Sequence, residues 1–455
     1  MTLLTAATPL RTPDVRNPAV MQRRGWWLVL VGFLLPGSAQ VLAGSRRLGR
    51  IGIIATLALV GLAAVAAVLW FVWRAGLLTI VGNSIGLLAI EVLLAAYAIL
   101  WLVLGFDTLR LARLTKVTGK ARAAIAIVAV VATVAPAALA GYGLTVVDAT
   151  RGLVGGIFDF ARPPVDPIDG RYTFLLLGGD AGDDRVGLRA DSMTVVTVNA
   201  ETGAATMIGV PRNMRNAPFS EGSPMWGPYP QGFNCESSDC LLNGTYTYGE
   251  AHPELYPDAE PSGSSPGIEA TRDAVEGVTG IELQFYVLVD MHGFEDLVNA
   301  LGGLELDVTE RVPIAIEGEP VREWIEPGTQ TLDGHDALWY ARSRAGASDY
   351  ARMARQRQVQ EAIIRQFTPE ALLTKYTELS RAGQDMVQSD VPQSMIGSLS
   401  QLALKTRQLR ITNLELVPAS GVNTTVPDFE QIHAMVQQAL AEADAVVPPT
   451  DSPAP

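Results

Sequence analysis

At 455 residues the chain exceeds what one hydrophobic core comfortably fills, so at least two physically distinct regions are expected. Its net charge of −13 hides a division: residues 1–146 hold 13 Lys and Arg against three acids (Asp14, Glu91, Asp107), and residues 147–455 hold 21 against 44. A basic, apolar third joined to an acidic remainder excludes a uniform soluble protein and fits a membrane anchor carrying a water-exposed domain; the acidity of that domain also argues against a nucleic-acid partner.

Residues 1–25 read as a cytoplasmic segment, too long and polar ahead of the first apolar run to be a cleavable signal. Residues 26–147 read as an all-α membrane region of three to four hydrophobic segments. Crossing about 30 Å of hydrocarbon takes roughly 20 helical residues, and 51–73, 77–104 and 123–147 qualify, with Glu91 as their only carboxylate. Segment 26–44 is interrupted by Pro36, Gly37, Ser38 and Gln40 and suits a re-entrant hairpin better than a fourth span. Short loops rich in Lys and Arg stay cytoplasmic. Placing Arg46, Arg47 and Arg50 inside, with Arg110, Arg113, Lys116, Lys120 and Arg122, sends the C-terminal domain outside a multi-pass cell membrane protein.

Residues 148–170 form a linker, with Pro163, Pro164 and Pro167. Within the domain at 171–445, the apolar run 172–177 ends in Gly178, Gly179 and Asp180 and reads as a buried strand delivering an acid to its end. A polar loop leads to Asp191 and a second strand at 193–199. A third, at 205–210, is stopped by Pro211. Residues 214–262 form a long Gly/Pro/Ser/Asn-rich excursion. It contains Cys235 and Cys240, close enough to read as a disulfide in an oxidising compartment, with a metal site as the weaker alternative. Helices are expected at 267–277, 293–301 and 349–367, and strands at 285–290, 304–308 and 414–417. Strands alternating with helices make a three-layer α/β/α domain around one mixed sheet. The Pro/Asp/Ser-rich tail 446–455 reads as disordered.

Two constellations carry chemistry. Asp180 and Asp191 stand on either side of one loop, so a hairpin return brings the acids together. Paired carboxylates without His or Cys suit a hard cation, Mg²⁺ with Mn²⁺ as a substitute, completed by substrate phosphates. Arg342, Arg344, Arg352, Arg355 and Arg357 crowd 16 residues, in a domain with 19 Arg and only two Lys (Lys375, Lys405). Arg's fixed fork suits phosphate recognition. On a helix, Arg352, Arg355 and Gln356 share one face that runs on to Val359 and Ile363. Together with Arg212, the two groups form a site able to neutralise a pyrophosphate. Each group also has a plainer reading, as turn-capping acids and as a solvated basic helix. The chain lacks Gly-x-Ser-x-Gly, the nucleophile elbow of a Ser hydrolase.

Six segments give these residues a more specific context: LLLGGD at 175–180, RADS at 189–192, VPR at 210–212, NGTYTYG at 243–249, DGHDALWYARSR at 333–344 and DYARMARQ at 349–356. In this order, over core motifs spanning 171–366, they resemble the LytR-CpsA-Psr family, in a multi-span actinobacterial type. The resemblance implies an extracytoplasmic phosphotransferase for cell-wall biogenesis. It would bind a polyprenyl pyrophosphate-linked glycan and transfer the glycan phosphate to a peptidoglycan hydroxyl with Mg²⁺. It puts the metal on Asp180 and Asp191, catalysis on Asp180, Asp191 and Arg344, and pyrophosphate contacts on Arg189, Arg212, Arg342, Arg344, Arg352, Arg355 and Gln356. Asn213 departs from the pattern, standing where the family usually has an acid. A pyrophosphatase taking water as acceptor and a non-catalytic glycolipid-binding protein would use the same residues. The carrier's lipid tail is expected in an apolar slot near 285–301.

Overall fold

A computed structural model describes residues 10–117, 119–158, 162–180, 189–235, 240–315, 320–344, 348–366 and 387–445, so the tail 446–455 lies outside the described residues. The chain divides into two units, residues 1–81 with 85–151, and residues 82–84 with 152–455.

The first unit is helical throughout. Helix α1 (Pro18–Leu34) starts where Asn17 accepts hydrogen bonds from the amides of Ala19 and Val20, with Pro18 in the first turn. It ends before Pro36, and Gly37, at φ 95°, turns the chain into the six-residue α2 (Ser38–Ala43). A side chain at Gly37 would collide with the backbone of Gly49 in α3 (Arg46–Val72), so only glycine permits this close return. Segment 26–44 is thus two short helices with a break. After α4 (Arg74–Val81) come α5 (Ser84–Ala112) and α6 (Gly119–Ile157). Among the described residues, three helices are long and apolar enough to cross a membrane: Arg46–Val72, Ser84–Lys116 and Gly119–Ile157. The middle one begins later than the expected 77, because Gly82 and Asn83 are weak helix formers and interrupt the run. Glu91 pairs with Arg151, 3.2 Å away.

The second unit is built on a six-stranded mixed sheet. Its first three strands, β1 (Arg171–Asp180), β2 (Arg189–Asn199) and β3 (Ala205–Val210), form an antiparallel meander. The excursion that follows contains the Cys235–Cys240 disulfide, with Cα atoms 5.5 Å apart, and α7 (Gly244–Ala251). Then come α8 (Pro266–Thr279), β4 (Phe285–Asp290) parallel to β1, and α9 (Met291–Leu301). Strands β5 (Leu304–Val308) and β8 (Gly328–Leu332) pair outside the main sheet, as do the three-residue β6 (Val312–Ile314) and β7 (Glu323–Ile325). Helices α10 (Gly334–Arg342) and α11 (Asp349–Gln366) lead back to edge strand β9 (Val387–Ser389), α12 (Ile396–Thr406), β10 (Thr412–Glu415) and α13 (Phe429–Ala445). The sheet order is β10-β3-β2-β1-β4-β9.

Alternation along the strands assigns the two faces. Leu175, Leu177, Met193, Val195, Ile208 and Val210 pack with Ile268, Val275 and Val278 of α8 and with Ile432 and Val436 of α13. Val196, Val198 and Met207 point the other way, toward Leu402 of α12 and Ile364 of α11. Helices therefore cover both faces, and the domain is a three-layer α/β/α sandwich. The hairpins β5–β8 and β6–β7 close a separate small core with α9, α10 and α11 around Val298, Leu306 and Tyr340.

A polar knot ties the excursion to α8. Asp273 accepts hydrogen bonds from the hydroxyls of Ser220 (2.9 Å), Ser223 (2.5 Å) and Tyr256 (2.6 Å), and Glu276, one turn on, accepts from the Leu283 amide at 2.7 Å. Burial, reinforced by Asp273 and opposed by the Leu283 amide and Arg272, pushes the Glu276 carboxyl up to about 7. Folding therefore takes up a proton between the ordinary value of 4.5 and about 7. This contribution is fully present at low pH and is lost as pH rises through that window. Glu276→Gln keeps the acceptor oxygen without the charge. Its stability advantage over wild type is expected to grow from nothing near pH 4.5 to about 3 kcal/mol above pH 7.5, measured by denaturant unfolding of the full chain in detergent. A pH-independent difference would refute the assignment.

Candidate active site

The site is assembled by strand register. Across β1 and β2, Gly178 faces Ser192 and Gly179 faces Ala190, which leaves Asp191 as an extra, unpaired residue. Such a bulge turns its side chain away from the regular pleat. Met193 pairs with Val210 across β2 and β3, so the chain beyond β3 brings Arg212 opposite Asp191. Arg212 Nη1 donates to Asp191 Oδ1 at 2.5 Å, and Arg344, in the corner between α10 and α11, lies 3.4 Å from Oδ2. Arg352 on α11 is only 2% exposed and donates to the Asp191 backbone carbonyl at 3.2 Å. The excursion returns through Asn243, whose amide donates to the Arg212 carbonyl at 3.0 Å and whose side chain reaches Asp191 Oδ1 at 3.5 Å.

Three guanidiniums thus converge on Asp191, two at its carboxylate and Arg352 at its backbone carbonyl, and a second acid, Asp349, holds two of them. Its Oδ1 accepts from Arg352 at 2.8 Å and lies 3.5 Å from Arg212 Nε, while its buried Oδ2 has no hydrogen-bond partner among the described residues. Arg212 is therefore oriented by Asp191 and Asp349 rather than by position 213, where Asn213 stands. Burial alone would raise the Asp191 carboxyl. Arg212 above all, then Arg344 and Arg352, more than reverse this and hold it below the usual carboxylate range.

The remaining arginines go elsewhere. Arg355 donates to the carbonyls of Tyr340 (2.6 Å) and Ser343 (2.5 Å), satisfying the end of α10 and bracing its corner with α11. Arg342 lies 5.0 Å over the Trp339 ring. Gln356 lines a cavity with Asp191, Arg212, Met353, Arg357 and Glu415, floored by the Thr194–Met207 side of the sheet. The β1–β2 hairpin brings the backbones of Asp180 and Asp191 to one sheet end, two residues apart along the ladder. The side chains of Asp180 and Arg189 lie outside the described residues, as does most of the loop between them. Two acids carried on adjacent strands at one sheet end, without His or Cys, are a residue set of the kind that suits Mg²⁺.

Beyond Thr194 the same sheet face becomes apolar: Val196 and Met207 are buried, and Phe174 and Leu176 are half-buried in the same cluster as Leu399 and Ile364. Of the expected lipid slot near 285–301, Phe285 meets this face and packs on Phe174, whereas Leu301 belongs to the small core. Sequence reasoning counted Arg357 in the arginine cluster without giving it a contact, and did not single out Asn243, Asp349 or Glu415 as site residues. Asp349 had a local signal, its i,i+3 spacing to Arg352. Glu415 had none.

A mixed sheet that sets Asp191 among three arginines at one sheet end defines an α/β domain with a charged, arginine-rich site. Residues 162–444 match the model of the LytR_cpsA_psr family, and the chain belongs to that family. It is similar to the polyisoprenyl-teichoic acid–peptidoglycan teichoic acid transferase TagU of Halalkalibacterium halodurans, with 28% identity over 48% of this chain and 61% of that protein. It is also similar to the cell wall biosynthesis protein LcpA of Corynebacterium glutamicum, with 26% identity over 61% of this chain and 57% of that one. The chain thus spans about three fifths of the length of the curated relatives it matches. Among solved structures, TagV of B. subtilis matches with a TM-score of 0.42 and 23% identity, over 60% of this chain and 97% of that one.

Proposed function

We propose that the domain transfers a glycan phosphate from a polyprenyl pyrophosphate carrier to a peptidoglycan hydroxyl on the outer side of the cell membrane. The observation that carries this reading is the continuity of the arginine-rich mouth with the apolar sheet face. A charged head joined to a hydrocarbon tail is the ligand that such a surface complements. The basic stretches 46–50 and 110–122 support a cytoplasmic side for those turns, and so an external domain. The name of the TagU relative supports the reaction class.

Arg212, Arg344 and Arg352 bind the pyrophosphate and offset the charge that develops as its bridge breaks. Asp191 and Asp349 fix their orientation. The acceptor hydroxyl oxygen bonds to the sugar-side phosphorus and gives up its proton to Asp180 or Asp191, the bond to the lipid-side phosphate breaks, and polyprenyl phosphate departs. Asp180 and Asp191 would hold a Mg²⁺, which supplies further positive charge to the phosphates when bound.

The test incubates the full chain in detergent with a polyprenyl pyrophosphate glycan and a peptidoglycan oligomer, and follows product mass with and without Mg²⁺. Metal-dependent glycan phosphate on the oligomer is expected, and Arg344→Ala should lower its rate about 100-fold, the loss typical of one charge-stabilising donor. Free glycan phosphate alone would replace this reading with a hydrolase, and bound but unchanged carrier with a binding protein.

A further inference from the structure

Below the arginine mouth, register measures depth along the cavity. Asp191 and Arg212 stand at the rim; Thr194 pairs with Gly209 one step down, and Val196 pairs with Met207 below that, where the face turns apolar. At the middle level β10 runs parallel to β3 and sets Glu415 beside Gly209. A side chain at Gly209 would strike the Glu415 carboxylate, so the glycine gives that carboxylate its place. Arg357, one helical turn after Met353, approaches from α11, its Nε 3.5 Å from Glu415 Oε1. The other oxygen, Oε2, is buried without a hydrogen-bond partner among the described residues. The pair thus forms a second polar station between the arginine mouth and the apolar face, with a carboxylate oxygen left unused.

We infer that this station, if the carrier is read as above, receives its lipid-side phosphate: Arg357 binds the phosphate and Glu415, in its neutral form, donates a hydrogen bond to it. An ionised Glu415 would instead keep Arg357 for itself and repel the incoming anion. Depth selects the lipid-side phosphate, since the group at this level must continue directly into the hydrocarbon tail. The charged groups facing Glu415 are Arg357 across the station and Arg212 and Asp191 along the same cavity. Burial, only partly opposed by Arg357, already raises its carboxyl above the ordinary range. An arriving phosphate raises it further, so carrier binding takes up a proton and weakens as pH rises through the interval between the free and bound states.

Glu415→Gln mimics the neutral acid in shape and in donor capacity. Polyprenyl pyrophosphate without a glycan is titrated calorimetrically into the full chain in detergent at pH 6 and pH 8, in two buffers of different ionisation heat. The variant is expected to bind about tenfold tighter than wild type at pH 8 and equally at pH 6. Wild type should take up a proton on binding that the variant does not, a readout that needs no comparison of stabilities. Polyprenyl monophosphate, carrying only the lipid-side phosphate, should show the same difference. Coincident pH profiles for the two proteins, or a difference confined to the pyrophosphate probe, would overturn the station. Failure of wild type to bind either lipid would instead remove the carrier reading on which it rests.

Discussion

Replacing Asp191 by Asn is expected to lower transfer about 1,000-fold, close to 4 kcal/mol of barrier, while carrier affinity stays within about threefold of wild type. The reasoning starts from the contacts. Asn keeps the side-chain oxygen that accepts from Arg212, and the backbone carbonyl that accepts from Arg352 is untouched. What disappears is one negative charge among three guanidiniums. The anionic carrier can itself replace that charge, so ground-state binding is preserved. The charge that develops between the phosphates needs the arginines fixed in place beforehand, and preorganised groups of this kind act on the barrier rather than on binding. Asp191→Ala also removes the oxygen that aligns Arg212, and should lose affinity as well as rate. Because its arginine neighbours hold Asp191 below the usual carboxylate range, its ionisation should not appear in the activity profile near neutral pH. Single-turnover rates and carrier affinity, measured side by side, decide the matter. A normal rate with weakened binding would reduce Asp191 to a holder of arginines, and transfer within tenfold of wild type would deny it any catalytic part.

The central meander was legible because its strands are apolar runs, two of them stopped at Asn199 and Pro211 for local reasons, whereas β1 runs on through Gly178-Gly179 to Asp180. The hairpin from β1 to β2 followed from the polar sequence between them. The bulge at Asp191 did not, since one extra residue in a strand changes no periodicity that a short window detects. Strands β6 and β7 are three residues each, below the length at which alternation means anything. Helix α13 buries Ile432, Val436, Ala439 and Ala443, and two alanines out of four dilute its apolar stripe. Helical spacing places Arg352, Arg355 and Gln356 on neighbouring positions, but their targets depend on α10 and β2, which helical spacing does not encode. Glu415 is the extreme case. Read locally it is a polar residue in a late strand, and its burial arises only when β10 pairs with β3, far earlier in the chain.

The same dependence on distant pairing sets Asp390 at a buried junction outside the site. It follows β9, the edge strand beside β4, and is 1% exposed. Its Oδ1 accepts from the Tyr286 amide at 2.7 Å, and its Oδ2 accepts from Arg272 at 2.7 Å and Arg162 at 2.5 Å. One buried carboxylate therefore joins the sheet edge, α8 and the segment that leads into the domain. Breaking such a pair from one side leaves the other charge buried, and Arg272 is 13% exposed against 29% for Arg162. Asp390→Asn should cost about 4 kcal/mol. The amide can still accept from Tyr286, but it presents donors or a weaker acceptor to two guanidiniums that both need an anion. Arg162→Ala, which removes the more exposed partner and leaves Asp390 paired with Arg272, should cost only about 1 kcal/mol. Denaturant unfolding of the full chain in detergent measures both, and the asymmetry is the diagnostic. Equal losses would mean that Arg162 carries the network. A loss below about 1 kcal/mol for Asp390→Asn would mean that the buried carboxylate matters only as an acceptor for the Tyr286 amide.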